Sequence, residues 1–315
     1  MSEAPFPVEP AHRRHPRLGY LMAASAAALW GVNGAVSKTI LSTGLSSERL
    51  AQLRSLGAAA GLLAILAVVA PQRLRLTRHE LPYVVTFGVA GLALVQFFYF
   101  LAIHRLTIGV ALLIEYLAPL LVALWARFYY REHVRRRVWV ALALALTGLA
   151  LIVDVFGGGG SLSTAGIFFA LGGAFAYATY VLLAEHVVGG RDPVSLLFWG
   201  FLFGSIFWAI LVPWWSFPGH HLTATTSLHG HLQAWHLPVW LLALWMVVLG
   251  TIAPFFLIVS ALRHLPATRV GIVAMLEPVV GALVGWAWLS ESLGGIQLVG
   301  AAVVLAAIGL AQTAR

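Results

Sequence analysis

The sequence predicts an all-α polytopic membrane protein with ten transmembrane helices, built as two five-helix inverted-topology repeats. Three observations carry that reading. The chain is 61% hydrophobic and only 10% charged, with a mean hydropathy of +0.91; soluble domains carry roughly 25% charged residues, so this much apolar surface calls for a bilayer. The apolar residues are gathered into runs of spanning length. Finally, one unusual stretch, residues 261–291, has an echo 159 residues upstream, at 102–132.

Taken in order, the runs cover residues 18–41, 50–70, 81–103, 107–125 and 138–156, then 165–183, 194–215, 237–262, 270–289 and 296–311. About 20 residues span a bilayer, so ten crossings are expected. Residues 1–17 form a polar tail with four prolines and Arg13, Arg14 and Arg17. No small-residue cleavage site follows a short apolar core, so no cleaved signal peptide is expected. The halves fall at 18–156 and 165–312, joined by a Gly-rich linker at 157–164 that includes Gly157–Gly160. That Gly run lacks the Lys-Ser/Thr of a phosphate loop.

The net charge of +8 resembles a nucleic-acid signal only in total. With the N-terminus in the cytoplasm, 15 of the 19 basic residues fall in inner segments, the bias of the positive-inside rule. Both termini are therefore expected in the cytoplasm and the His-rich loop 216–238 outside. No nucleic-acid partner is expected; the bilayer and a small molecule are. The chain has no Cys, which excludes disulfides and thiol chemistry.

The echo aligns Pro119 with Pro278 and Glu132 with Glu291, in a chain with only 14 Pro and 11 acidic residues. A weaker echo at offset 147 aligns Gly19 with Gly166, Trp30 with Tyr177 and Lys38 with Glu185. Five spans per half is odd, so the second half enters the membrane in the opposite sense. Inverted repeats of this kind are a transporter signature. The Gly57/Gly61, Gly200/Gly204 and Gly281/Gly285 spacings permit close helix approach.

Trp30-Gly31 in the first run, Arg54 early in the second, and the two Pro-x12-Glu copies, Pro119…Glu132 and Pro278…Glu291, resemble the EamA-type drug/metabolite transporters. The resemblance covers residues 19–311. It implies a central cavity lined by helices 1, 3 and 4 of one half and 6, 8 and 9 of the other, with helices 5 and 10 peripheral. It also implies transport of an amino acid, a drug or another small metabolite. Arg131-Glu132 stands where the family more often has a Gly-Glu turn.

Glu115 and Glu277 lie near the middle of their runs. A charge at that depth costs about 3 kcal/mol on insertion scales, which makes each a functional candidate. Proline lacks an N–H, so Pro119, Pro254 and Pro278 free the carbonyls of Glu115, Gly250 and Ala274. Freed carbonyls at membrane depth belong beside cavities or polar partners, and broken helices hold substrate in such transporters. Glu277 is expected just ahead of the break at Pro278. Trp30 and Asn33 share a helix face, as do Gln96 and Tyr99, and Tyr177 and Tyr180; these six complete the candidate cavity wall. Lys38, near a helix end, is expected to snorkel to the headgroups. The five histidines of the outer loop are irregularly spaced among Gly, Thr and Ser, so a solvated loop is expected rather than a metal site.

No catalytic constellation such as H-E-x-x-H or G-x-S-x-G occurs, and no cofactor or metal is expected. The chain reads as a secondary transporter, an exporter of an amino acid, amine or amphipathic drug working by alternating access, with the proton as candidate coupling ion. An uncoupled facilitator or exchanger is the alternative, and an enzyme acting on lipid-linked substrates a more distant one.

Overall fold

The computed structural model describes residues 15–153, 163–188 and 190–313. The tail arginines Arg13 and Arg14, the Gly157–Gly160 run and Arg315 lie outside the described residues. Ten long helical elements follow in order: α1 Pro16–Leu41, α2 Ser47–Val69, α3 Leu81–Ile103, α4 Ile108–Phe128, α5 Arg136–Ile152, α6 Thr164–Val187, α7 Pro193–Leu211, α8 Val239–Ala261, α9 Ala267–Ala287 and α10 Gly295–Thr313. Eight of them are both long and apolar enough to cross a membrane; α1 and α5 are the other two.

The starts follow from local chemistry. Ser46, Thr107, Ser163 and Asp192 accept N–H bonds from the first turns of α2, α4, α6 and α7, satisfying donors a helix start leaves open. Pro16 opens α1, where its missing N–H is not needed. Because α2 begins at Ser47 rather than at residue 50, Arg54 sits a turn deeper than the apolar run implies.

The two halves interlock. α1 packs against α8 and α9, and its counterpart α6 packs against α3 and α4. A Cβ at Gly19 would lie 2.7 Å from the Leu265 side chain, and one at Gly166 would lie 2.7 Å from that of Leu106. Both glycines and both leucines are repeat equivalents, so the same close approach occurs at opposite ends of the bundle. α2 meets α7, and α5 runs along α10 with Gly148 and Gly300 set against each other's backbone.

The backbone irregularities repeat as well. α3 contains a π-helical stretch, Phe87–Ala93, and α8 contains one at Val248–Ile252, equivalent at offset 159. π-bulges of this kind often mark functional positions. α4 breaks at Tyr116–Leu117 and α9 at Met275, again equivalent. The second break therefore precedes Glu277, which lies in the first turn beyond it; the sequence expectation placed it after. A proline tolerates the first turn of a helix, and that is where Pro119 and Pro278 sit.

Where the family's Gly-Glu turn would stand, Arg131 (φ 56°) and Ser290 (φ 59°) both adopt the left-handed conformation. The following N–H, of Glu132 or Glu291, reaches the equivalent carbonyl of Ala126 or Gly285 at 3.0 and 3.1 Å. A left-handed L-residue carries roughly 1–2 kcal/mol of strain. Arg131→Gly and Ser290→Gly are each expected to stabilise the protein by about 1 kcal/mol net of glycine's entropy, measured as a higher melting temperature in detergent.

Both ends of the α2–α7 pair are held by arginine. Arg49 donates to the carbonyls of Pro213 and Ser216 at 2.8 and 3.0 Å. At the other end Arg191 pairs with Glu80 at 2.7 Å and donates to the Arg75 carbonyl at 3.0 Å. Burial works against the Glu80 carboxylate, but bonds from the Thr77 N–H and hydroxyl, and the Arg191 charge, outweigh it and hold the carboxyl below its usual range.

The His-rich segment is solvated, with His220, His229, His231 and His236 exposed, and it is also folded. Thr225–Ser227 pairs antiparallel with His236–Pro238, Ser42 bonds the His229 ring at 2.9 Å, and the His231 N–H donates to the Trp288 carbonyl at 2.8 Å. Among the described residues no group of His, Asp or Glu could hold a metal ion. This is the hairpin end of the bundle. The opposite end, with Arg127, Arg131 and Arg135–Arg137, is the arginine end.

Candidate functional site

The two helix breaks meet in the middle of the bundle. Tyr116, the residue at the break of α4, donates its hydroxyl to Glu277 Oε2 at 2.8 Å, just beyond the break of α9. That bond joins the two repeats at their equivalent irregular points. Glu115 ends the first segment of α4 and faces α6, where a Cβ on Gly173 would lie 3.4 Å from Glu115 Oε2. The two carboxyls are close enough to act on each other electrostatically.

Arg54 enters from α2. Its Nε donates to Thr251 Oγ1 at 3.1 Å and its terminal nitrogen to the Gly250 carbonyl at 3.5 Å. That is the carbonyl Pro254 leaves without a helical partner. Thr251 also donates its hydroxyl to the Met246 carbonyl at 2.9 Å, closing the π turn. The Arg54 charge acts on Glu277, so two acids and one guanidinium gather around the two breaks.

Glu115, Glu277, Arg54, Trp30, Gln96, Tyr99 and Tyr177 are all half-buried. Trp30 sets its ring edge-on to Phe255 at 5.1 Å. Tyr99 and Tyr177 both lie within electrostatic reach of the two acids. Gln96 has its Oε1 buried and unpartnered. Two further expected wall residues, Tyr180 and Asn33, are more deeply buried, and the Tyr180 hydroxyl and Asn33 Oδ1 are likewise unpartnered. Tyr180 is 1% exposed, stacked on Tyr177 and wedged against Phe87 and Phe255. Asn33 is 6% exposed and presses its side-chain oxygen onto Gly250. Lys38 lies exposed near the end of α1 and pairs with Glu291 at 2.5 Å.

Tyr116 escaped the sequence reading. Its signal was its place directly between Glu115 and the Pro119 break, but an aromatic in a membrane helix is ordinarily core or belt. Arg54, which the sequence marks only as part of the family resemblance, places its charge near Glu277.

The fold and the paired polar breaks define a membrane transporter of small molecules. The chain matches the EamA-like transporter family over residues 17–154 and again over 164–313, and it belongs to that family. It is 28% identical over 259 residues to the threonine/homoserine exporter RhtA of Escherichia coli K12, covering 82% of this chain and 80% of that one. It is 25% identical over 297 residues to the uncharacterised inner membrane transporter YicL of Salmonella typhimurium LT2, covering 93% and 94%. A solved crystal structure shares the fold, with a TM-score of 0.74 over 93% of this chain and 96% of that one at 18% identity. The protein is a multi-pass membrane transporter, not an enzyme.

Proposed function

We propose that this transporter exports a small amino acid or related amine by alternating access, in exchange for protons carried by Glu277 or Glu115. The observation that supports it most is that two acids, one from each inverted half, lie at equivalent helix breaks in the middle of the bundle. An acid can hold an amine, and aromatic faces such as Trp30 and Tyr99 favour cations. Arg54 supplies the matching donor for a carboxylate. The likeness to a threonine/homoserine exporter fits a zwitterion held between opposite charges. The arginine end lies in the cytoplasm with both termini, by the positive-inside bias, and the hairpin end faces outward.

The test is a substrate panel in proteoliposomes. Saturable transport of threonine, homoserine or another small amino acid, competed by amines, is expected. Saturable transport of a sugar phosphate, uncompeted by amino acids or amines, would overturn the reading.

A further inference from the structure

An apolar groove of about 830 Å³ opens between the second segment of α4 and the arginine-end half of α6. Leu121 and Trp125 line one side, Ala178 and Thr179 the other, and His186 stands near its arginine end. Leu121 is about 9 Å along the helix axis from Glu115, at 1.5 Å per residue. On α6 the lining begins at Phe175, two residues beyond Gly173 and on the opposite side of the helix from it, on the exposed stripe that also holds Phe168.

The inverted repeat supplies a counterpart. Leu121 is equivalent to Val280 and Ala178 to Gly31, so the same surface in the other half lies between α9 and α1 at the hairpin end. There it is shut. A Cβ on Gly31 would fall 2.7 Å from Val280 Cβ, and α1 contacts the second segment of α9 far more extensively than α6 contacts that of α4. Lys38 and Glu291 bridge the rim at 2.5 Å. The hairpin fastens over it, with Trp288 Nε1 donating to the Leu228 carbonyl at 2.8 Å. The repeat equivalents of Lys38 and Glu291 are Glu185 and Glu132, two acids that cannot form the same bridge. Glu185 instead accepts the N–H of Ala267, at the start of α9, at 2.7 Å.

From this asymmetry we infer that the α4–α6 groove is the cytoplasmic mouth of the transport path, and that it receives the apolar flank of the substrate on the way to Glu115 and Glu277. Its counterpart between α1 and α9 is the outer mouth, latched here by Lys38 and Glu291. Equivalent surfaces of inverted halves exchange roles when one half rocks against the other. The occupant is the transported molecule, with an apolar or aromatic side to meet Trp125 and Phe175. Among the described residues a multiply charged solute finds there one imidazole, His186, and the hydroxyls of Thr179, Tyr129 and Tyr130, with no Arg, Lys, Asp or Glu in the lining. This inference rests on the transport reading but not on the choice of substrate.

The chain has no native Cys, which permits a direct test on the full-length protein in vesicles. Thr179→Cys reports the groove, and Val32→Cys, its repeat equivalent, reports the closed side. A hydrophilic maleimide is expected to label Thr179→Cys at least tenfold faster. Adding Lys38→Gln or, independently, Glu291→Gln is expected to raise labelling of Val32→Cys and lower that of Thr179→Cys together. Absence of labelling at Thr179→Cys would make the groove a lipid-filled surface and overturn the proposal. So would latch variants that free Val32→Cys while leaving Thr179→Cys unchanged. The experiment uses no substrate, so its failure is distinguishable from failure of the substrate panel.

Discussion

Glu277→Gln is expected to abolish accumulation of substrate against its gradient, lowering pH-gradient-driven transport about 10- to 100-fold, while one-for-one exchange at equal concentrations survives. The glutamine keeps the shape and can still accept the Tyr116 hydroxyl bond, which in the native protein is 2.8 Å long. It cannot carry the charge or exchange the proton. The retained bond loses its charge assistance, a difference of about 1–1.5 kcal/mol, and each 1.4 kcal/mol is about a factor of ten; the lost proton exchange adds to that. Glu115→Gln is expected to act in the same direction, less strongly, because Glu115 lies further from the Arg54 charge that anchors Glu277. Transport driven by a pH gradient is the readout. If both variants run at wild-type rates with their pH dependence unmoved, these residues do not couple protons, and an uncoupled facilitator or exchanger becomes the better reading.

Arg54→Gln is expected to be the most destabilising single change in the site. Arg54 holds the carbonyl freed by Pro254 and the Thr251 hydroxyl, and its charge balances Glu277. Removing the guanidinium takes away the bonds to Thr251 and the Gly250 carbonyl and the charge acting on Glu277, and hydrogen bonds from a charged group contribute about 1.5–3 kcal/mol each. The melting temperature in detergent should fall sharply, and Arg54→Lys should recover only part of the loss, since a lysine cannot donate to both partners in the same fork. Adding Glu277→Gln to Arg54→Gln should restore stability without restoring transport. An Arg54→Gln protein that melts like wild type would show that the guanidinium is not the counter-charge.

Much of the architecture was legible because membrane helices announce themselves by length and apolarity, and because rare residues mark the repeat. Pro119, Pro278, Glu132 and Glu291 sufficed to find the two halves, and the loop arginines sufficed to propose an orientation. The carboxyls of Glu115 and Glu277 stood out against an apolar background. What stayed hidden depends on backbone geometry that no side-chain pattern encodes. The π turn of α3 contains no proline, so nothing at Phe87–Ala93 advertised it. The breaks precede their prolines by two or three residues, since a proline is comfortable in the first turn of the helix that follows. The neighbours of Lys38 and Asn33 stayed hidden for a different reason: Glu291 and Gly250 are more than 200 residues away in sequence. The fold of the His-rich segment likewise depends on α1 and α9 beneath it.

The measurement that bears most directly on the central claim is threonine transport by the Glu115→Gln/Glu277→Gln double variant, run beside wild type in proteoliposomes. The two acids are held to be the place where the inverted halves share a substrate. Wild type should show saturable threonine flux, and the double variant should lose both accumulation and exchange although it folds and inserts normally. A well-folded double variant that exchanges threonine as fast as wild type would contradict the claim, whatever the single substitutions show.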